Sequence, residues 1–464
     1  MRLWFLVSAI VGTLLTPAYA SDEQAGLSVA SIEHATTLRD ALISDSHAWP
    51  IVESLTTEVG PRLAGTESES RAREWALKKL AELGFENVHA ETFELEGWER
   101  GAESAALTAP YPQPLEISTL GGSVATPDGG VEASVSMFRT LDELRAAPVG
   151  SLNGRIAFVS HAMQKVQMGM SYGEFRSIRT HAASIAASKG AVAALIRSIG
   201  TDQHRFAHTG TLSYADDSPK IPAAALSNPD ADQLERILNR GQDVRVRLEL
   251  KPRATGKVVS GNIIADIVGR DAADEIVIIS AHLDSWDIGT GAVDDGAGVA
   301  IATAAAKAIL DAGKQPRRTI RLILWGAEEV GLKGAHAYLS AHATEIDKHI
   351  VGTESDFGAE KIWQLSSNAE GNGQAVVEQI AKLLLPIGIT AAARPSSMAG
   401  PDVSVLVGAG MGAFGFAQNG MDYFDLHHTK NDTLDKINPS ALNFNAAAFA
   451  VFAWLAADSD AEFR

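Results

Sequence analysis

Residues 280–298, S-A-H-L-D-S-W-D-I-G-T-G-A-V-D-D-G-A-G, constrain the fold more than any other stretch of the chain. A short Val- and Ile-rich run, residues 275–279, precedes them and reads as a buried strand. From Gly296 the chain turns Ala-rich and reads as a helix to about Ala312. His282, Asp284, Asp294 and Asp295 therefore sit beyond the carboxyl end of a strand, where open α/β sheets build their sites. A neutral imidazole and a carboxylate on one loop suit a divalent metal such as zinc. Side-by-side carboxylates repel unless a cation, a proton or a basic group lies between them. Alone, the stretch also reads as a polar loop with a helix-capping aspartate.

The flanking sequence alternates strand and helix. Strands are expected at residues 87–96, 262–268, 275–279, 319–325, 350–353 and 412–417. A helix from about Glu67 carries Ala72, Trp75, Ala76, Leu80 and Leu83 at helical spacing and stops at Gly84. Further helices are expected at residues 298–311 and 373–384, and Asn438 caps a last one that has Pro439 at its first position. The pattern predicts an α/β protein with a mixed, largely parallel sheet flanked by helices. Residues 21–46 read as an exposed helical lead-in arm.

Residues 120–252 have a different texture. Short β-like runs at 155–159 and 244–250 flank an Ala- and Ser-rich helix near residues 181–189, and Pro219 and Pro222 mark turns. This reads as a domain inserted between two halves of a larger one, residues 21–119 and 253–464. The insert's histidines, His161, His181, His204 and His208, lack metal-ligand spacing, so surface or structural roles are expected for most of them.

At 464 residues, the chain exceeds one average domain, in line with an insertion. Its net charge of -18 argues against a nucleic-acid partner, which would need a basic footprint. With no cysteine there is no disulfide framework, no thiolate zinc site and no lipid-anchor cysteine. Arg2, the apolar run 3–15 and Ala18-Tyr19-Ala20 read as an export signal over residues 1–20, placing the protein in the periplasm or outside the cell. The run is short for a membrane span, and no later stretch reads as one, so no membrane anchor is expected.

Three further clusters fall at expected strand ends: Glu328 and Glu329, Asp356, and His427 with His428. Each alone is weak, since an acidic pair is usually solvated and a lone Asp after a strand is usually a cap. Together they converge on one edge of one sheet. His282 with one carboxylate and His428 with another make two near-equivalent zinc half-sites that one Asp can bridge. One glutamate of the pair can bind metal while the other takes a proton from a water whose pKa the metal lowers to about 7. That division of labour suits amide hydrolysis.

The segments H-L-D-S-W-D-x-G-x-G-A-x-D-D-G, W-x-A-E-E, E-S-D-x-G and H-H-T-x-x-D-T resemble the co-catalytic zinc exopeptidases of metallopeptidase family twenty-eight. The likeness spans nearly the whole mature chain, through Val59-Gly-Pro-Arg-Leu, Trp98-Glu-Arg-Gly101, Ala194-Leu-Ile-Arg-Ser198, His208-Thr-Gly210 and Lys220-Ile-Pro222. It implies that residues 21–119 and 253–464 form the catalytic domain, with the zinc exopeptidase fold. It also implies that residues 120–252 are a protease-associated domain. It implies two zinc ions per chain, with His282, Asp294, Glu329, Asp356 and His428 as ligands and Asp294 as the bridge. Glu328 would be the general acid/base, Asp284 would orient His282, and Tyr423 would meet the oxyanion. His427 could replace His428, but His428 directly precedes the threonine of the family's pattern. Gly400-Pro-Asp402 stands where close relatives have Gly-Thr-Asp, so a different specificity pocket is expected there. A peptide substrate follows from the resemblance, as does a homodimer. Two other readings compete: a single-zinc glutaminyl cyclase-like acyltransferase and a non-catalytic receptor-like homologue.

Overall fold

The computed structural model describes residues 27–169 and 172–464. The expected export signal lies outside them. Two eight-stranded sheets organise the chain. Across the main sheet the strands run Glu86–Glu99, Arg253–Ile267, Arg318–Trp325, Ala272–His282, His349–Glu354, Gly412–Gln418, Ile362–Ser367 and Thr390–Ala391. Its centre is parallel: Ala272–His282 pairs in parallel with Arg318–Trp325 and with His349–Glu354, which pairs in parallel with Gly412–Gln418. Antiparallel pairs flank that centre, so the sheet is mixed, as expected.

The central strands are apolar on both faces because helices cover both. Val277, Ile279 and Ala281 join one core with the helices Ala297–Asp311 and Pro439–Asp458. Ile276 and Ile278 point the other way, toward Tyr338, Val403 and Leu406. Continuous burial of this kind is what a parallel centre requires. The last helix is apolar and long enough to cross a bilayer, yet 89% of its most apolar window is buried inside the protein. It is a core helix.

The lead-in helix Val29–Ser44 departs from expectation. It packs on the last helix through Ala35, Leu38 and Leu42, and Trp454 donates from Nε1 to Ser31 Oγ at 3.0 Å. Alternating small and polar residues gave that helix only a faint apolar stripe, which is why it read as exposed.

The second sheet runs Gln113–Leu115, Glu103–Ala109, Arg245–Leu250, Val131–Phe138, Ile156–Val159, Ala193–Arg197, Ala223–Leu226 and Ile117–Thr119. It thus begins at Glu103, upstream of the boundary expected at residue 120. The short strands 103–109, 113–115 and 117–119 are separated by single turns, and their sequence resembles the half-exposed strand before them. Pairing between Glu103–Ala109 and Arg245–Leu250 closes the segment at its two ends.

Candidate metal centre

Four loops leave the carboxyl ends of the central strands and meet. Ala272–His282 ends on His282 itself, Arg318–Trp325 leads to Glu328 and Glu329, and His349–Glu354 leads to Asp356. The loop after Gly412–Gln418 carries Tyr423, His427 and His428. The convergence expected from the sequence is present.

His282 Nε2 lies 3.0 Å from Asp294 Oδ1 and 3.6 Å from Asp356 Oδ1. His428 Nε2 lies 2.9 Å from Glu329 Oε2 and 3.3 Å from Asp294 Oδ2. Asp294 therefore offers one oxygen to each histidine. All of these side chains are buried or nearly so. Two donors on one zinc, at bond lengths of 2.0–2.2 Å, stand roughly 3.3 Å apart. The observed separations match that spacing on both sides of Asp294.

Among the described residues, two of the donor oxygens also lack a hydrogen bond. Asp294 Oδ2 and Glu329 Oε1 are buried without a clear hydrogen bond. Burial pushes Glu329 above the usual carboxylate range, while the His282 and His428 contacts overcome burial and hold Asp294 well below it. Such a set of nitrogen and oxygen donors fits a divalent cation. His282, Asp294 and Glu329 could hold one, as could His282, Asp295 and Asp356, or Asp294, His427 and His428.

The two adjacent histidines are separated by their second nitrogens. His428 Nδ1 lies 3.2 Å from the Thr209 carbonyl oxygen, the arrangement that fixes a ligating imidazole. His427 Nδ1 has no partner among the described residues, and its Nε2 is 3.7 Å from Asp294 Oδ2. The geometry favours His428.

Asp284 has a task that the sequence did not suggest. His282 Nδ1 bonds to the Asp284 backbone carbonyl at 3.0 Å, whereas the nearer Asp284 carboxylate oxygen is 3.7 Å away. The carboxylate instead accepts from the backbone amides of Glu328, at 3.0 Å, and Glu329, at 3.4 Å. Glu328 is half-buried and its carboxyl group has no hydrogen-bond partner among the described residues. Burial raises it well above the usual range, and Asp356, Glu329 and Asp284 add to the rise. Tyr423 is similar: burial, then Asp294, Asp356 and Glu329, push its hydroxyl up, so it stays a proton donor. A cavity of about 10 Å³ is lined by Trp286, Asp294, Glu329, His428 and Asp432.

Two further residues, Asp432 and Arg62, escaped the sequence reading. Asp432 accepts from the amides of Val293 at 2.6 Å and Asp294 at 3.2 Å. Asp295, named with Asp294 in the sequence, accepts from the amides of His282 and Gly298, both at 3.1 Å, which ties the strand end to the helix start as a capping aspartate would. Arg62 is fully buried and donates to the carbonyls of Gly60, Leu283, Thr290 and Gly291. The available signal for the two missed residues was position: Asp432 and Arg62 lie inside quoted motifs. Asp402, expected at a specificity pocket, is fully buried beside Glu354, whose carboxyl group burial pushes up to about 8.

This fold and donor set are those of a metallopeptidase, and the comparisons agree: residues 262–453 match the profile of Peptidase family M28. The chain belongs to that family and is a peptidase of it. Carboxypeptidase Q of Mus musculus is 34% identical over 406 residues, covering 88% of this chain and 84% of the relative. The likeness to carboxypeptidase Q is already visible in the quoted motifs. The crystal structure of a Peptidase M28 precursor from Shewanella amazonensis SB2B is 48% identical, with a TM-score of 0.92, covering 94% of this chain and 98% of that one. An aminopeptidase from Aneurinibacillus sp. strain AM-1 shares the fold at 22% identity, with a TM-score of 0.65, covering 93% of this chain and 97% of that one.

Proposed function

We propose that the protein is an exported exopeptidase that hydrolyses dipeptides or short peptides at a pair of zinc ions. The observation that carries this reading is Asp294, which presents one oxygen to His282 and the other to His428. His282 and Asp356 would hold one zinc, Glu329 and His428 the other, with Asp294 shared. Zinc held there supplies a water of lowered pKa and a positive charge for the scissile carbonyl oxygen.

The protein's own groups do the rest. Glu328, with no other partner for its carboxyl group among the described residues, takes a proton from the attacking water and passes it to the leaving amine as the C–N bond breaks. Asp284 fixes Glu328 by its backbone amide and keeps Glu329 alongside. The Tyr423 hydroxyl donates to the oxygen on which negative charge develops. The second sheet, read as a protease-associated domain, packs against the same loops.

Relatives bear both carboxypeptidase and aminopeptidase names, so the free terminus that is recognised is a matter for assay. The test is a panel of dipeptides and end-blocked peptides, with and without chelator, alongside zinc measured per chain. Two zincs and chelator-sensitive cleavage of unblocked short peptides are expected. One tight zinc with no second would move the assignment to a cyclase-type centre.

A further inference from the structure

The two half-sites are not supported alike. His282 and Asp294 are held from within the main sheet's own loops, by the Asp284 carbonyl and by Asp432. Glu329, whose amide also reaches the Asp284 carboxylate, and His428 are held in addition by residues 208–211, which belong to the second sheet's connections. Thr209 donates its amide to the His428 carbonyl at 3.0 Å, and its own carbonyl lies 3.2 Å from His428 Nδ1. Thr211 Oγ1 donates to the Glu329 carbonyl at 2.8 Å.

His208 anchors this contact. Its side chain is fully buried; Nδ1 donates to the His427 carbonyl at 2.7 Å and Nε2 meets Asp202 Oδ1 at 2.7 Å. Asp202 is itself buried and receives Asn228 Nδ2 at 3.3 Å. A Cβ at Gly200 would lie 2.2 Å from the His208 ring, so the ring fills the space that a larger residue would need. The loop it holds needs holding: His428 has φ +60, a conformation that a side-chain-bearing residue keeps only when its surroundings over-determine it.

We propose that Asp202 and His208 are positioning residues for the half-site of Glu329 and His428, acting through the His427 carbonyl, with Thr209 and Thr211 completing the clamp. The second sheet thereby sets the affinity of one zinc of the pair and not the other. This rests on the reading above that Glu329 and His428 are ligands.

The experiment measures both zinc affinities by chelator competition in the full-length protein, with the visible spectrum of the cobalt-substituted form as a reporter of ligand geometry. H428A should lose one zinc; if it retains both, the ligand assignment fails and the clamp with it. Given that loss, H208A should weaken one zinc by roughly 10- to 100-fold, the usual effect of removing support behind a ligand, and leave the other within two-fold. H208Q, which keeps a donor, should recover part of the affinity and of the cobalt spectrum. T211V removes one hydroxyl from a half-exposed position and carries the test if H208A does not fold; it should weaken the same zinc by a smaller factor. Unchanged affinities in T211V and in any folded His208 variant, or equal weakening of both zincs, would overturn the proposal.

Discussion

The backbone amide of Glu328 donates to the Asp284 carboxylate at 3.0 Å, joining the loop after one central strand to the loop after its neighbour. Strand pairing already places His282 opposite Trp325. The extra bond fixes the turn through Ala327, which has φ +59. Glu328, whose carboxyl group has no hydrogen-bond partner among the described residues, is thus held in place by its main chain, and its side chain stays free to move a proton.

E328Q should therefore lower kcat by about 10²- to 10⁴-fold, the range expected when a positioned proton carrier is lost. Zinc content and thermal midpoint should match the parent protein, because no ligand is removed. Near-normal turnover by the folded, zinc-loaded variant would falsify the assignment.

D294A tests the bridge. Its two oxygens face different histidines, so removing them should lower metal content at both positions together. Equilibrium dialysis followed by elemental analysis reads this directly. A variant that keeps two zincs would place the bridge on another residue.

Strands with a largely apolar texture, such as Arg318–Trp325, were legible because burial on both faces leaves an apolar run, here Leu322-Ile323-Leu324-Trp325. The ligand cluster was legible because each member ends a strand or lies on the loop that follows one. Ile362–Ser367 was not, since its buried and half-buried positions include Gln364, Ser366 and Ser367 and no apolar run forms. Arg62 and Asp432 act through backbone groups far away in sequence, a contact for which residue type gives no pattern. His208 looked like a scattered surface or structural histidine because its partners, Asp202 and the His427 carbonyl, come together only in the folded chain.

R62A should destabilise the zinc-free protein by roughly 3–5 kcal/mol. It removes a buried guanidinium and leaves carbonyls at Leu283, Thr290 and Gly291 without their donor. Burial lowers the Arg62 pKa, while Asp432, Asp284, Asp295 and Asp294 act to keep it charged. R62K keeps the charge but cannot span all four carbonyls, so it should fall between the two in urea denaturation. Equal midpoints for R62K and the parent would assign the effect to charge alone.

His349 gives a pH dependence remote from the metal centre. It is fully buried, its Nδ1 donates to the Glu345 carbonyl at 3.0 Å, and its Nε2 accepts from the Tyr338 hydroxyl at 2.8 Å. Both nitrogens are thus committed in the neutral form, and burial, aided by Arg321 and His342, lowers the pKa to about 4. The unfolded chain, with an ordinary value near 6.5, takes up the proton first as pH falls. Its contribution is fully present above pH 6.5 and is lost progressively down to about pH 4, a change of about 3 kcal/mol at most. In the zinc-free protein, the stability difference between the parent and H349Q should therefore shrink across that window. Denaturation curves at pH 7, 6, 5 and 4.5 measure it, and a difference that stays constant would mean that His349 is protonated in the folded state as readily as in the unfolded one.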